Sequence, residues 1–438
     1  MNGFGKFLYQ IVPFGTHVLK VRAALSESTG TAQASSVLRH APFLRFWLAR
    51  IASSLSFQML AVAVGWRVYA LTNSAFDLGL VGLAQFVPMV LLTFLVGPVA
   101  DRYDRRFIAG TCQVVEGVAA VMLAVGTFRG SLGRDGIYAA VAVIGAARAF
   151  ESPAMAALLP DLLGRSLVER GSAWSASASQ TAQIVGPALG GGLYVLGPAI
   201  VFALAAALFL AAAILLALVR STPASPRRTT ITLRSFFAGL AFVWDDPPIL
   251  GTVSLDLFAV LFGGVTALLP IFARDILMTG PWALGLLRAA PAIGALTMSV
   301  YLAHRPLRTP TGLTMFGAVI LFGAATILFA LSTNFGLSLA ALAVLGAADV
   351  VSVVIRFSLV QLRTPQEMRG RVSAVNALFI GTSNQLGEFE SGLTAALFGT
   401  VPAALIGGIG TIAVAMLWMR LFPQLTALRS LEQQNEVH

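Results

Sequence analysis

Nine ionisable side chains stand inside long apolar stretches of this sequence, where charge is energetically expensive. They are Arg50, Glu116, Arg148, Glu151, Asp256, Asp349, Arg356, Glu388 and Glu390. Within a membrane each such residue costs roughly 2.5 to 3.5 kcal/mol, so each should face a water-filled space or an opposite charge. Burial raises the pKa of a carboxyl group and a neighbouring arginine lowers it, so an acid under both influences can bind and release a proton. The predicted chemistry is therefore proton exchange.

The spacing of four of these residues leaves two arrangements open. Arg148 and Glu151 are three positions apart and Asp349 and Arg356 are seven apart, so on helices the members of each pair share a face. One arrangement is an ion pair between Arg148 and Asp349 across a central space. The other is a local pair on each helix, which only neutralises buried charge.

Among the acids, Asp256 and Asp349 are the preferred candidates for a proton carrier, and Glu388 is the third. Glu388 and Glu390 are two positions apart, so on a helix they cannot both point into one cavity. The candidate central site therefore consists of Arg50, Arg148, Glu151, Asp256, Asp349, Arg356 and Glu388.

The sequence contains few residues that could form a disulfide, a metal site or a nucleotide site. Cys112 is the single cysteine, which excludes a disulfide framework and a cysteine metal site. The histidines show no metal-ligand spacing and lie outside the apolar stretches, at His17, His40, His304 and His438. No GxxxxGK[ST] loop for a nucleotide is present. We expect no metal, no cofactor and no enzymatic activity.

The elements that must position the nine charges are apolar blocks of membrane-spanning length. The chain is 57% hydrophobic and only 11% charged, against about 25% charged in soluble proteins. A helix of about 20 residues crosses a hydrocarbon core of ~30 Å. The blocks predict an all-α membrane protein with twelve spans, at residues 46–70, 78–100, 108–127, 137–159, 172–195, 200–219, 249–270, 283–302, 311–331, 337–360, 372–398 and 402–420.

A polar segment and an internal repeat divide the spans into six and six. Prolines and arginines between Arg220 and Arg234 are typical of a linker. A shift of 201 positions aligns Gly186 with Gly387 and Gly191 with Gly392. Such a repeat predicts two pseudo-symmetric halves with a site between them. The predicted units are an N-terminal extension (1–45), a first half (46–219), a linker (220–248), a second half (249–420) and a tail (421–438).

The basic residues predict the orientation of the chain. With both termini in the cytoplasm, most arginines and lysines fall in cytoplasmic segments, as the positive-inside rule requires. The first 40 residues then form a cytoplasmic extension, not a signal peptide, and the inner (plasma) membrane is the expected location. The net charge of +10 is spread over loops, so no nucleic-acid partner is expected.

The loop after the second span carries the sharpest motif. Its residues Gly97 to Arg106, GPVADRYDRR, resemble the GxxxDRxxRR signature of the major facilitator superfamily, and the resemblance extends over about residues 40–420. It implies that Asp101 meets the cytoplasmic end of the eleventh helix near Arg371 and closes an inner gate. The gate residues would be Gly97, Asp101, Arg102, Arg105, Arg106 and Arg371. The alternative is a solvated loop that only sets orientation.

Two further motifs resemble exporters of that superfamily. Gly186-Pro187-Ala188-Leu189-Gly190-Gly191 resembles a GPxxGG motif of antiporters and exporters. Gly186 and Gly190 lie one turn apart, which favours close helix contact, and Pro187 can kink the helix, so a bending element or a packing surface is predicted. The stretches 158–161 and 364–376 resemble the branch that includes the enterobactin exporter and related efflux proteins.

These observations predict a secondary transporter. The leading interpretation is a proton-coupled exporter of a small, partly hydrophobic compound, siderophore-like or drug-like, working by alternating access as a monomer in the lipid bilayer. Its partners would be the small-molecule substrate and protons. Uptake of a metabolite through the same fold, and a non-transporting membrane receptor or scaffold, are the alternatives.

Overall fold

The computed structural model describes residues 37, 39–163, 167–219, 233–305 and 311–428. Within these ranges the side chains of residues 94, 97, 98, 100, 101 and 233–236 are not described. The described part of the chain forms helices and short connections and contains no strand, which confirms the all-α prediction. Most of the expected N-terminal extension, residues 220–232 of the linker and residues 429–438 of the tail lie outside the described residues.

Twelve long helices follow one another in the described ranges. Most begin and end within about a turn of the predicted spans, because apolar blocks of this length have one low-energy conformation in a membrane. They are α1 (Ala41–Thr72), α2 (Ala75–Arg102), α3 (Arg105–Phe128), α4 (Arg134–Leu162), α5 (Val168–Tyr194), α6 (Pro198–Ala217), α7 (Pro247–Ile276), α8 (Pro281–His304), α9 (Thr311–Leu331), α10 (Phe335–Arg363), α11 (Arg369–Phe398) and α12 (Thr400–Leu421).

Ten of the twelve are long and apolar enough to cross a membrane by composition alone. The other two, α5 and α11, are 27 and 30 residues long but polar, with many serines and glutamines in α5 and four charged residues in α11. Each packs against helices of both halves: α5 against α1 and α8, and α11 against α7 and α2. Packing against protein on two sides reduces the apolar surface that each of these helices needs.

The two halves meet through two equivalent glycine contacts. A Cβ atom on Gly191 of α5 would lie 2.9 Å from the Cα of Gly285 in α8, and a Cβ on Gly392 of α11 would lie 2.6 Å from the Cα of Gly79 in α2. Because Gly191 and Gly392 are related by the repeat offset, the same packing occurs twice. The absence of side chains lets the backbones of the two halves touch.

Helix α7 is longer than its predicted span and is interrupted. It is α-helical to Phe262, tightens to a 3-10 turn at Val265–Leu268 and widens at Phe272–Ile276. A Cβ on Gly264 would lie only 2.2 Å from the carbonyl oxygen of Gly387 in α11. The break thus lies where the backbones of α7 and α11 are in close contact.

Two segments carry structure that the hydropathy pattern did not predict. The linker contains a helix at Leu233–Asp245, which packs against α11 through Gly239 and Arg371. The start of the tail forms a short helix at Pro423–Thr426, and its Leu425 is fully buried beside Gly312 of α9. Both segments are too short to span a membrane, so a search for spans passes over them.

Candidate functional site

A polar cavity of about 240 Å³ lies midway along the helices of the first half. Side chains from α1, α4 and α5 line it, and many of them carry hydroxyl, amide or charged groups. The lining consists of Arg50, Ser53, Ser54, Phe57, Gln58, Arg148, Glu151, Ser152, Met155, Ser179 and Gln183. On α1 the spacing of Arg50, Ser53 and Phe57 places these three on one helical face.

Arg148 and Glu151 form an ion pair at the edge of this cavity. Nη1 of Arg148 lies 3.1 Å from Oε2 of Glu151, and the guanidinium lies 4.1 Å from the ring centroid of Phe57. The other carboxylate oxygen, Oε1, accepts hydrogen bonds from Ser53 Oγ at 2.6 Å and from Gln113 Nε2 at 3.2 Å. Both oxygens of this nearly buried carboxylate therefore have partners, which offsets the cost of removing it from water.

Arg50 gives the cavity an excess of positive charge. Its Nε donates to Ser179 Oγ at 3.3 Å, a contact that supplies no negative charge. The described lining holds two arginines and one glutamate, so its net charge is +1. An anionic group entering the cavity would meet a net positive field.

A second charged group lies in the other half, on α7 and α10. Arg356 forms an ion pair with Asp256, and its Nη2 lies 3.8 Å from Oδ1 of Asp349. The side chains of Asp256 and Arg356 are 13% and 8% exposed, but that of Asp349 is 44% exposed. Asp349 is therefore the acid of this group with the weaker contact and the freer access to water.

Of the two predicted arrangements, the structure contains the one in which each helix forms its own ion pair. Arg148 pairs with Glu151 on α4, and Asp349 pairs with Arg356 on α10, so the predicted ion pair between Arg148 and Asp349 is absent from the described contacts of this conformation. The repeat made those two positions equivalent, but it did not reveal that each has an oppositely charged neighbour within reach on its own helix.

Removal of Arg148 is expected to destabilise the first half. In Arg148→Ala the buried Glu151 loses its cation, and we expect the free energy of unfolding to fall by about 2–3 kcal/mol. This is less than the cost of breaking a fully buried ion pair, because Arg148 faces the cavity. Chemical denaturation in detergent micelles measures this. The double variant Arg148→Ala/Glu151→Gln should recover most of the loss, and equal stability of the single and double variants would contradict the charge argument.

The two acids of α11 lie apart from both charged groups. Glu388 faces α2, where its Oε2 would lie 3.1 Å from a Cβ on Gly82, and it interacts electrostatically with Arg288 of α8. Glu390 accepts a hydrogen bond at 2.8 Å from Thr394 on its own helix. The two carboxylates thus have separate surroundings, as their spacing predicted.

The loop motif is anchored within the first half. Arg105 forms an ion pair at 2.7 Å with Asp161 at the end of α4, and Arg106 donates to the carbonyl of Val219 after α6. The Asp161 partner comes from the stretch 158–161, so two separate sequence motifs meet here. The structure describes neither the surroundings of Gly97 nor the side chain of Asp101, so an inner gate through Asp101 remains a prediction.

The remaining gate residues are Arg102 and Arg371, one in each half. The guanidinium of Arg102 lies 6.0 Å from the ring of its neighbour Tyr103. Nη1 of Arg371 lies 3.4 Å from the sulfur of Met368, at the start of α11. These contacts are local and join no residue of the first half to the second.

The GPALGG motif packs α5 against two other helices. A Cβ on Gly186 would lie 2.6 Å from Gln58, and one on Gly190 would lie 2.9 Å from the backbone of Met59, both on α1. Gly191 instead touches α8 of the other half. Helix α5 runs through Pro187 without interruption. These contacts show a packing surface, and bending at Pro187 stays a prediction.

Further contacts join the halves on the side that carries the α1–α2 and α7–α8 turns, which we call the outer side. Tyr69 donates to Asp275, and Nη1 of Arg274 donates to Asn73 Oδ1 at 2.9 Å. Phe76 and Phe389 stack edge to face at 6.2 Å. With the glycine contacts, they close the outer side between the halves. The loop motif lies at the opposite, inner side.

Comparison with known families agrees with this architecture. The family model described as transmembrane secretion effector, of the major facilitator superfamily, matches residues 32–438, which is nearly the whole chain. The chain belongs to this transmembrane secretion effector family. Members of the superfamily are secondary transporters, so the prediction of a transporter without enzymatic activity is confirmed.

Curated relatives of this secretion effector include exporters. It is 28% identical to the enterobactin exporter EntS of Citrobacter koseri, over 89% of this chain and 94% of that one. It is also 28% identical to EntS of Escherichia coli, over 90% of this chain and 95% of that one. The predicted resemblance to the enterobactin exporter is confirmed.

Solved structures support the fold alone. The nucleoside transporter NupG superposes with a TM-score of 0.69 at 14% identity, over 87% of this chain and all of that one. A bacterial homolog of the human lysosomal transporter Spinster superposes with a TM-score of 0.67 at 15% identity, over 92% and 97% of the two chains. This secretion effector is therefore a multi-pass membrane protein with the major facilitator fold.

Four polar partners in the sites were missed from the sequence. Ser53, Gln113 and Ser179 hold the charges around the first-half cavity, and Asp161 holds Arg105. A signal for Ser53 existed, because it lies three residues after Arg50 on one helical face. The other three come from helices distant in sequence, so spacing could not connect them to their partners.

Proposed function

We propose that this protein exports a small, oxygen-rich organic anion of the siderophore type by proton-coupled alternating access. The observation that carries the proposal is the first-half cavity, in which two arginines outnumber one glutamate among hydroxyl and amide groups. The names of the EntS relatives point to the same class of compound.

Recognition would combine charge with hydrogen bonding. Guanidinium groups bind carboxylate and catecholate oxygens through paired N–H donors, and the serine and glutamine side chains can satisfy additional hydroxyl groups. Phe57, which lies beneath Arg148, offers an aromatic face to a ring of the substrate. A cationic drug would meet an unfavourable field at Arg50.

Proton coupling would reside in the second half. Asp349 holds Arg356 at 3.8 Å and is the most exposed acid of its group, whereas Asp256 is tightly paired. Binding of a proton to Asp349 would remove its attraction to Arg356 and so favour a rearrangement of these three side chains. Loss of the proton would restore the ion pair. Exchange of a proton for an anion across the membrane then follows from alternating exposure of both groups.

The proposed orientation sets which side of the membrane the open end of this conformation faces. With both termini in the cytoplasm, the closed outer side faces away from the cytoplasm, so this conformation would accept substrate from inside the cell. The inner gate would close through Asp101 and the start of α11 at Arg371. One chain supplies both halves of the pathway, so a monomer in the bilayer suffices and no nucleic acid is involved.

Binding to purified protein tests the proposed substrate class. We expect a tri-catecholate siderophore such as enterobactin to raise the thermal unfolding midpoint, and tetraphenylphosphonium, an organic cation, to have no such effect. Arg50→Ala should weaken siderophore binding about tenfold, as expected for loss of a charge-assisted contact. Arg129→Ala, which removes an exposed arginine at the outer side, is the matched control. Preference for the cation would overturn the proposal.

A further inference from the structure

Glu116 is a fully buried acid that belongs to neither charged group and whose carboxylate has no partner among the described residues. It lies on α3 behind the cavity and is 0% exposed. Neither carboxylate oxygen has a hydrogen-bond partner in the described part of the chain. An ionised carboxylate without partners in an apolar interior costs many kcal/mol, whereas a protonated one carries a donor that can satisfy a neighbour.

Gln113 offers the matching unsatisfied acceptor. It is three residues before Glu116 and so lies on the same face of α3, and it is also 0% exposed. Its Nε2 donates to Oε1 of Glu151 at 3.2 Å, but its own Oε1 has no partner among the described residues. Two acceptor groups on one face are unsatisfied together, and a proton on Glu116 would supply a donor for the amide oxygen of Gln113.

We infer that Glu116 is held protonated and is a positioning residue for the cavity: its O–H donates to Gln113 Oε1, which fixes the amide so that Nε2 points at Glu151. The resulting chain runs from Glu116 through Gln113 to Glu151 and orients that carboxylate towards Arg148. Glu116 itself does not touch the cavity. The part of the inference that concerns ligand binding rests on the proposed function.

The surroundings of Glu116 supply no cation of its own. The charges on α4 that interact with it are Glu151 and Arg148, which already pair with each other. On its own helix Cys112 is the neighbouring titratable group, and on α6 the packing near Gly117 comes from Leu210 and Phe209, which are apolar. Arg148 is thus engaged by Glu151, and a neutral Glu116 is the state that this environment favours.

Infrared spectroscopy tests the protonation without any ligand. Purified wild-type protein at neutral pH should show the C=O stretch of a buried protonated carboxyl group, with slow deuterium exchange, and Glu116→Gln should lose that band. A wild-type spectrum without the band, or an unchanged band in Glu116→Gln, would overturn the inference. This result is independent of whether the siderophore binds.

Binding of a tri-catecholate siderophore tests the positioning role. Glu116→Gln, whose amide can still donate to Gln113, should bind as the wild type does over the whole accessible pH range. Glu116→Leu and Gln113→Leu should each weaken binding about fivefold, and the double variant should be no weaker than either, because both act through one chain. Three results would overturn the positioning role. The losses in the double variant could be additive, Glu116→Gln could weaken binding as much as Glu116→Leu, or Glu116→Leu could lose stability but keep its affinity. Failure of the wild type to bind, with the infrared band present, would count against the proposed function alone.

Discussion

Replacement of Gly191 by leucine is expected to stop transport by holding the outer side open. A Cβ at this position would lie 2.5 Å from the carbonyl oxygen of Pro281 and 2.9 Å from Gly285, and these are backbone atoms of the opposite half that cannot move aside as a flexible side chain can. Overpacking of such a contact costs about 1–3 kcal/mol, which shifts the equilibrium towards the open outer side by roughly 5- to 150-fold.

The neighbouring glycine provides a matched control. Gly192 is exposed, and a Cβ there would meet nothing within 4 Å, so Gly192→Leu adds the same side chain to the same helix without touching α8. We expect Gly192→Leu to transport a tri-catecholate siderophore at the wild-type rate in proteoliposomes and Gly191→Leu to fall to background. Equal activity of the two variants would show that the α5–α8 contact is not required for the transport cycle.

Spin-label distances would report the conformation directly. Ser131 and Met278 are exposed at the outer side of the first and second halves. In a Cys112→Ala background, labels at Ser131→Cys and Met278→Cys should lie farther apart in Gly191→Leu than in the parent, and Gly192→Leu should leave the distance unchanged. An unchanged distance in Gly191→Leu, together with lost transport, would place the defect elsewhere.

Asparagine at position 349 is expected to uncouple transport from protons while leaving the pathway intact. Asp349 is accessible and contacts Arg356 at 3.8 Å, so the amide can occupy its place but cannot take up a proton. A gradient of one pH unit is worth about 1.4 kcal/mol, or tenfold accumulation for each proton exchanged. In proteoliposomes Asp349→Asn should show no accumulation against a siderophore gradient, while exchange of labelled for unlabelled siderophore continues within a few-fold of wild type.

Glu390→Gln is the control for loss of an intramembrane acid as such. Glu390 bonds to Thr394 on its own helix and belongs to neither charged group, so this variant should keep pH-driven accumulation. Retention of accumulation by Asp349→Asn would remove Asp349 as the proton carrier and leave Asp256 as the next candidate. Loss of both accumulation and exchange would indicate a collapsed site instead.

Much of the fold was readable from the sequence because membrane insertion follows rules that are local along the chain. The span 311–331 was predicted to the residue, since an uninterrupted apolar block in a bilayer can satisfy its backbone groups only as a helix. The repeat placed Gly191 and Gly392 in equivalent positions, and the loop motif at Asp101 indicated the superfamily. The sequence did not predict the break in α7 or the linker helix Leu233–Asp245, because both are in contact with α11.

The charges show where the sequence stops being sufficient. By itself it identified nine ionisable residues within the spans and the helices that carry them, since the cost of charge in a membrane depends on position in the chain. Only the tertiary structure decided the partners: Arg148 with Glu151 rather than Asp349, Asp256 joining Arg356, and Gln113 reaching Glu151 from α3. Pairing depends on distances of a few ångströms between helices far apart in sequence, and those distances are fixed by how the helices pack.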